Sequence, residues 1–329
     1  MRLVFFGTPA FAVPSLRALL EEGFDVAAVV TQPDRPQGRS RTSLVPPPVK
    51  LVALEEDLPV LQPDRPIGAF AAELAGLNAD LAIVVAYGHI LKPDILAIPR
   101  LGMLNLHASL LPALRGAAPI AWAILNGLET TGVSIMQMEA GLDSGPVLHQ
   151  IETEVAADET GGELTERLAE LGAAALIETL TLLQAGEHLA VPQDHSRATR
   201  APKISRETAR LDWSRDAATL ARTTRAFDPE PGAWALAGEL EVKFFGGRIA
   251  NASGHPGTVL ATGETLTVAA GVGALEVSEV QPSGKKRMPV SSWVNGRGVR
   301  RHWRCGRRRT SPPDHRPRPR RPARDRRRG

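Results

Sequence analysis

The sequence predicts an α/β protein in two parts. A Rossmann-like, mostly parallel sheet with helices is expected over residues 1–189, and a small β-barrel of OB-like form over residues 207–303. Three observations carry this. At 329 residues the chain exceeds one typical domain. Its first half alternates short apolar runs with stretches of helical spacing, the pattern of parallel strands joined by crossovers. Its later part turns to short strands separated by Gly, Asn and Pro, which suits antiparallel pairing.

Leu3–Phe6 is the first apolar run and ends in Gly7-Thr8-Pro9. Phe11 to Leu20 has helical spacing, and Phe24–Thr31 is apolar and β-branched. Pro33 to Pro48 holds five prolines and reads as a loop. Val49–Glu56 and Ile67–Gly76 are expected helices, with Leu81–Val85 and Met103–His107 as buried strands. Thr131–Met138 and Pro146–Glu154 add strands, and Glu163–Leu183 is a long amphipathic helix. Ala190 to Arg206 is polar, carries Pro192 and Pro202 and has no period, so a linker is expected. Beyond it Leu220–Phe227 looks helical. Glu241–Phe245, Thr258–Leu260, Thr265–Val268 and Leu275–Val280 are the expected strands. Residues 304–329 are almost wholly Arg, Pro, Gly and Asp; they cannot bury a core and are expected to be disordered.

Composition narrows the function classes. A hydrophobic content of 43% fills ordinary cores, and no uninterrupted apolar run is long enough to span a bilayer. A soluble, cytoplasmic protein without a membrane partner is expected. Cys305 stands alone, which excludes a disulfide framework and any multi-cysteine metal site. The net charge of +3 misleads, because from Arg300 onward 14 arginines face only Asp314 and Asp325. The rest of the chain carries 25 basic against 34 acidic residues. An argument for nucleic acid therefore rests on local patches.

The chemistry concentrates at Asn105-Leu106-His107-Ala108-Ser109-Leu110-Leu111-Pro112 and at Gly141-Leu142-Asp143-Ser144-Gly145. Asn105 and His107 are two residues apart at the end of an apolar run, so a strand puts them on one face. Asp143 arrives in a Gly-flanked turn, where backbone can approach a ligand closely. Amide, imidazole and carboxylate suit a general-base transfer to an amine. The bland reading makes Asn105 and His107 a polar strand cap and Asp143 a routine turn aspartate. Convergence of these residues with Ser109, in contexts rich in Gly and Pro, favours the functional one. If their strands are neighbours, Ala86-Tyr87-Gly88 lies on the same rim. Gly7-Thr8-Pro9 lacks both G-x-G-x-x-G and G-x-x-x-x-G-K-[ST], so neither a dinucleotide nor a nucleoside triphosphate is expected.

These blocks, with Thr31-Gln32-Pro33-Asp34-Arg35-Pro36, Arg115-Gly116-Ala117-Ala118-Pro119-Ile120 and Gly132-Val133-Ser134-Ile135-Met136-Gln137-Met138, resemble the methionyl-tRNA formyltransferases. Leu211-Asp212-Trp213 and Val294-Asn295-Gly296-Arg297-Gly298 extend the likeness, which covers roughly residues 1 to 299. The resemblance implies formyl transfer from 10-formyltetrahydrofolate to the methionine amine on initiator tRNA. It implies catalysis by Asn105, His107 and Asp143, without a metal. Asn105 would donate to the developing oxyanion, His107 would move protons, and Asp143 would orient His107. Tyr87, Gly88, Ser109, Leu110, Leu111 and Pro112 would bind the folate, although Tyr87 reads equally well as plain core. Arg35, Arg39, Arg41 and Lys50 in or beside the Pro-rich loop, opposed only by Asp34, would meet tRNA phosphates, with Arg39 at the family's key arginine. Lys243, Lys285 and Lys286, with Arg248 and Arg287, would form a second basic set. A monomer is expected.

The sequence departs from the family at Ala113-Leu114, where a basic–aromatic pair is usual, at Thr42-Ser43, where a further Lys is usual, and at Glu230. Residues from Arg300 onward match nothing in the family; a reading-frame shift near the natural end and a basic RNA-binding arm are both open. The rival reading is a folate-dependent formyltransferase acting on a small amine, such as an amino sugar or glycinamide ribonucleotide.

Overall fold

A computed structural model describes residues 1–37, 43–187, 189–296 and 305. The first part runs β1 (Arg2–Gly7), α1 (Val13–Glu21), β2 (Asp25–Val30), β3 (Arg35–Gln37), β4 (Ser43–Val45), α2 (Pro48–Glu55), β5 (Val60–Leu61) and α3 (Ala69–Gly76). It continues through β6 (Leu81–Val85), α4 (Pro93–Leu96), β7 (Met103–His107), α5 (Pro119–Leu125), β8 (Thr130–Gln137), β9 (Val147–Glu154) and α6 (Gly161–Ala185). Seven strands make one sheet in the order β5-β2-β1-β6-β7-β8-β9. β5 to β7 are parallel, β8 is antiparallel to β7, and β9 is antiparallel to β8. The chain steps outward from β1 through β2 to β5, then returns to the other side of β1 with β6. The carboxyl ends of β1 and β6 therefore flank a switch in direction, where such sheets bind ligands. Thr8 Oγ1 spans it, donating to the Tyr87 carbonyl at 3.0 Å.

Strand alternation builds a core on each face. Leu3, Phe5, Ile83, Leu104 and Leu106 pack with α1, α2 and α6. Val4, Phe6, Ala82, Val84 and Met103 pack with Phe70 and Leu74 of α3 and Ile95 of α4. The second cover ends at Met103, so Asn105 and His107, of the same parity, fall on a face that no helix of this core blankets. α6 starts at a capping box in which Thr160 Oγ1 and the Glu163 carboxylate each accept the other's backbone N–H. By length and composition α6 is apolar enough to cross a membrane, yet its Leu164, Leu168, Leu176 and Leu180 are buried against the sheet.

The second part holds α7 (Ala217–Ala226), β10 (Ala233–Ala237), β11 (Leu240–Phe245), β12 (Arg248–Ala250), β13 (Val259–Thr262), β14 (Leu266–Ala269), β15 (Ala274–Val277), β16 (Glu279–Pro282), β17 (Met288–Pro289) and α8 (Val290–Asn295). Its strands form two four-stranded sheets, β10-β11-β16-β17 and β12-β15-β14-β13. All their pairings are antiparallel. Val242, Phe244, Val268, Leu275 and Val280 fill the interior, with Trp213 edge-on to Phe244 at 5.9 Å. Asp216 caps α7 by accepting from Thr219 N at 2.8 Å. α7 ties the two parts together. Leu220 and Ala226 share the core of the large sheet, and Gly162 N donates to Asp228 O at 2.9 Å.

Four expectations change. Residues 33–48 contain a hairpin, β3–β4, because Pro36 pairs with Leu44 on a two-stranded ribbon where a missing donor is tolerated. The single strand expected over residues 275–280 is two, since the chain passes from one sheet to the other at Ser278. The stretch 190–206 is not a free linker. It pairs with the large-sheet part through bridges Val147–Val191 and Arg115–Arg200. Cys305, inside the expected tail, is 4% exposed and its N–H donates to Gly257 O at 2.7 Å; burial pushes the thiol up to about 12. The other residues from 297 to 329 lie outside the described residues.

Candidate active site

β7 alternates Leu104 and Leu106, which enter the α6-side core, with Asn105 and His107, which face the other way. His107 is 6% exposed, and its Nε2 lies 3.0 Å from the Leu114 carbonyl. A carbonyl oxygen only accepts, so Nε2 carries the hydrogen and Nδ1 is left as the nitrogen able to take a proton. Asp143 Oδ2 stands 3.8 Å from that Nδ1. This is beyond hydrogen-bond range. It still leaves the carboxylate facing Nδ1 across a short gap. Leu114 thus orients the ring, and Asp143 faces Nδ1. Asn105 is half-buried, and among the described residues its amide has no protein partner.

The route of Asp143 to this place is not obvious from the chain. Because β8 is antiparallel to β7, the β8–β9 connection leaves the sheet at the end where β7 begins. Residues 138–146 fold back to reach His107. Gly145 permits the reversal: a Cβ there would stand 1.9 Å from Gln137 O. Asp143 itself sits at φ 48, a left-handed conformation costing about 1–3 kcal/mol for such a residue unless its surroundings hold it. They do. Asp143 Oδ2 accepts from Gly116 N at 2.8 Å, and its carbonyl accepts from Gln193 Nε2 at 3.0 Å.

The other expected site residues divide. The Tyr87 ring is buried in the core 5.3 Å from Phe6, and burial pushes its hydroxyl up to about 12. Only its carbonyl meets the rim, accepting from Thr8 Oγ1 and from Gln32 Nε2 at 2.9 Å. Gly88 is exposed at φ 86. Ser109 braces its own turn: its Oγ donates to Ala113 O at 2.6 Å and its carbonyl accepts from Ser134 Oγ at 2.6 Å. Leu111 is buried, and Leu110 and Pro112 are half-buried beside it.

The basic residues divide as well. Arg35 is exposed and donates to Gln32 Oε1. Arg39 and Arg41 lie outside the described residues. Lys50 departs from the expectation of an available loop cation. Its Nζ is 2.8 Å from both Asp34 oxygens and 2.7 Å from Gln62 Oε1. Hydrogen bonds from Gln62 and Lys50 hold the Asp34 carboxyl below its usual range. Arg287 is likewise taken up by Asp228 at 2.6 Å and by Glu279. Lys243 is half-buried on β11, whereas Arg248, Lys285 and Lys286 are exposed. Among the described residues no group of His, Cys, Asp and Glu is gathered to hold a metal.

Sequence reasoning missed Gln193, Ser134, Gln150, Gln32 and Gln62. Each is a neutral side chain whose role depends on long-range pairing, so no spacing marks it. Ser134 Oγ accepts from Leu111 N at 3.0 Å and from Gln150 Nε2 at 2.8 Å, fixing the turn after β7.

Residues 1–180 match the formyl transferase family, and residues 203–298 match the formyl transferase C-terminal domain. A methionyl-tRNA formyltransferase of Pseudomonas paraeruginosa is 48% identical over 299 residues, covering 90% of this chain and 96% of the relative. Two solved structures share the fold. HypX from Aquifex aeolicus, in complex with tetrahydrofolic acid, has a TM-score of 0.62 at 21% identity, covering 93% of this chain and 51% of that one. An N-formyltransferase from Helicobacter canadensis, in complex with folinic acid and dTDP-3-aminofucose, has a TM-score of 0.66 at 15% identity, covering 88% and 100%. The chain belongs to the methionyl-tRNA formyltransferase family.

Proposed function

We propose that this chain transfers a formyl group from 10-formyltetrahydrofolate to the amino group of methionine on initiator tRNA, for translation initiation. One observation carries the reading. On the open face of β7 the Asn105 amide, unpartnered among the described residues, stands two residues from an imidazole whose Nε2 is already fixed by Leu114. Membership of the family supports the acceptor.

Asn105 donates to the formyl oxygen as the amine attacks and makes it an oxyanion, a contact of the kind worth about 2.7–4 kcal/mol. As the new C–N bond forms, His107 Nδ1 takes the proton that the amine loses. Collapse breaks the bond between the formyl carbon and the folate nitrogen, and His107 returns the proton to that nitrogen. Asp143 stabilises the imidazolium in between. Holding both substrates in register supplies much of the remaining acceleration.

For the folate, the exposed backbone at Ala86 and Gly88 offers edges to a flat polar ring beside Ser109, Leu110, Leu111 and Pro112. Tyr87 shapes this rim from beneath, its carbonyl holding Thr8 and Gln32 and its ring packed in the core. For the tRNA, Arg35, Arg39 and Arg41 meet phosphates near the acceptor end, and Lys243, Lys285 and Lys286 follow the backbone farther away. Lys50 anchors the base of the hairpin. We infer a monomer working in the cytoplasm.

The test is formylation by purified protein with methionyl-tRNA, an amino sugar nucleotide or glycinamide ribonucleotide as acceptor, each with and without the folate. Only methionyl-tRNA with folate should be formylated; a small amine as the sole acceptor would replace this reading. His107→Ala should lower kcat by about 10²–10⁴-fold. Full activity in that variant would remove the mechanism.

A further inference from the structure

The stretch after α6 supplies a side chain to the candidate active site, and we propose that Gln193 is a positioning residue for the reaction. This rests on the formyl-transfer reading above. Gln193 is 9% exposed and all its hydrogen-bonding capacity is used. Its Nε2 donates to Asp143 O at 3.0 Å and to Gly145 O at 2.7 Å, pinning both sides of the turn that carries the carboxylate. Its Oε1 accepts from Arg115 Nε at 3.1 Å and from Arg115 Nη2 at 2.5 Å. The amide has one orientation only: carbonyl oxygens need the NH₂, and a guanidinium needs the oxygen.

Arg115 lies between the two groups that hold the catalytic pair. On one side the Leu114 carbonyl accepts from His107, and on the other the Gly116 N–H donates to Asp143. Arg115 is tied to the same stretch by backbone, its N donating to Thr199 O at 2.9 Å and its O accepting from Ala201 N at 2.7 Å. The ring is closed: His107, Leu114, Arg115, Gln193, the Asp143 turn, and back to His107. Gln193 touches no reacting atom. It acts through Asp143 by fixing a left-handed turn that otherwise relaxes away from Nδ1.

The experiment compares Gln193→Met, which keeps length and loses every bond, with Gln193→Glu, which keeps the Arg115 contact and loses both donors. Each is measured for kcat, both KM values and Tm, alone and combined with Asp143→Asn. Gln193→Met should lower kcat by about 10–100-fold, the effect of a displacement near 1 Å, with both KM values within threefold. Added to Asp143→Asn, it should lower kcat no further. Were Gln193→Met poorly folded, Gln193→Glu carries the same test, with loss of kcat at unchanged Tm. Wild-type kcat in both variants overturns the proposal, as does the same fold-loss with and without Asp143. A wild-type protein that does not formylate methionyl-tRNA would instead overturn the functional reading.

Discussion

Two segments that look alike in the sequence, residues 33–48 and residues 190–206, meet the site by opposite means. Both are polar, punctuated by proline and without period. The first is held at its base by side chains: Lys50 and Gln62 bind Asp34, and Arg35 binds Gln32. The second is held mainly by backbone, through Val191 on Val147 and through Thr199 and Ala201 on Arg115. Charged anchors weaken in salt and change with pH, whereas a backbone ladder answers to neither. A hairpin with the proposed tRNA-binding role can tolerate adjustment at its base. Groups that fix the proposed proton acceptor cannot.

The sharpest way to break this contrast is Gly116→Ala. Gly116 adopts φ 127, and a Cβ there would stand 2.5 Å from Ala201 O, so the substitution pushes the second segment off the Leu114–Gly116 turn. The backbone that holds Asp143 moves with it. We expect kcat to fall by about 100-fold or more, with a stability loss of about 1–3 kcal/mol from the forced conformation. Kinetics and urea unfolding check this, and wild-type kcat would mean that the ladder is incidental to catalysis. Thr199→Val is gentler. It removes the Oγ1 that accepts from buried Leu114 N at 2.8 Å, leaving that N–H unpaired. Such a loss costs about 1–3 kcal/mol. A drop in kcat of about tenfold should follow, because Leu114 also orients His107.

What the sequence made legible follows from period. Leu81–Val85 and Met103–His107 are strands with the bounds that their apolar runs suggest, and α6 extends the expected Glu163–Leu183 by a cap on one side and a glycine stop on the other. Elements without a distinctive pattern were hidden. β10 reads Ala-Trp-Ala-Leu-Ala, and α5 is a seven-residue turn behind Pro119. At the candidate site, Asn105 and His107 share a face, as a spacing of two predicts. The approach of Asp143 depends on the antiparallel turn of β8, and the role of Gln193 on a ladder between residues 78 positions apart. Neither separation leaves a local trace.

The smallest expected effect sharpens the other side of the comparison. Asp34→Asn leaves the hairpin base hydrogen-bonded through Gln62 but frees the charge of Lys50. One added phosphate contact would steepen the log–log salt dependence of tRNA binding by about 0.9. An unchanged slope would mean that Lys50 does not reach the tRNA even when released. Acid should do the same to the wild-type chain. The Asp34 carboxyl lies below its usual range in the folded state, so its stabilising bond is present above that usual value and is lost as pH falls through the lowered one. The base therefore stays intact at pH 5 and lets go only below about 4. The contacts of Gln193, to two backbone carbonyls and a guanidinium, include no carboxyl group to protonate, and hydrogen exchange across that range should separate the two anchors.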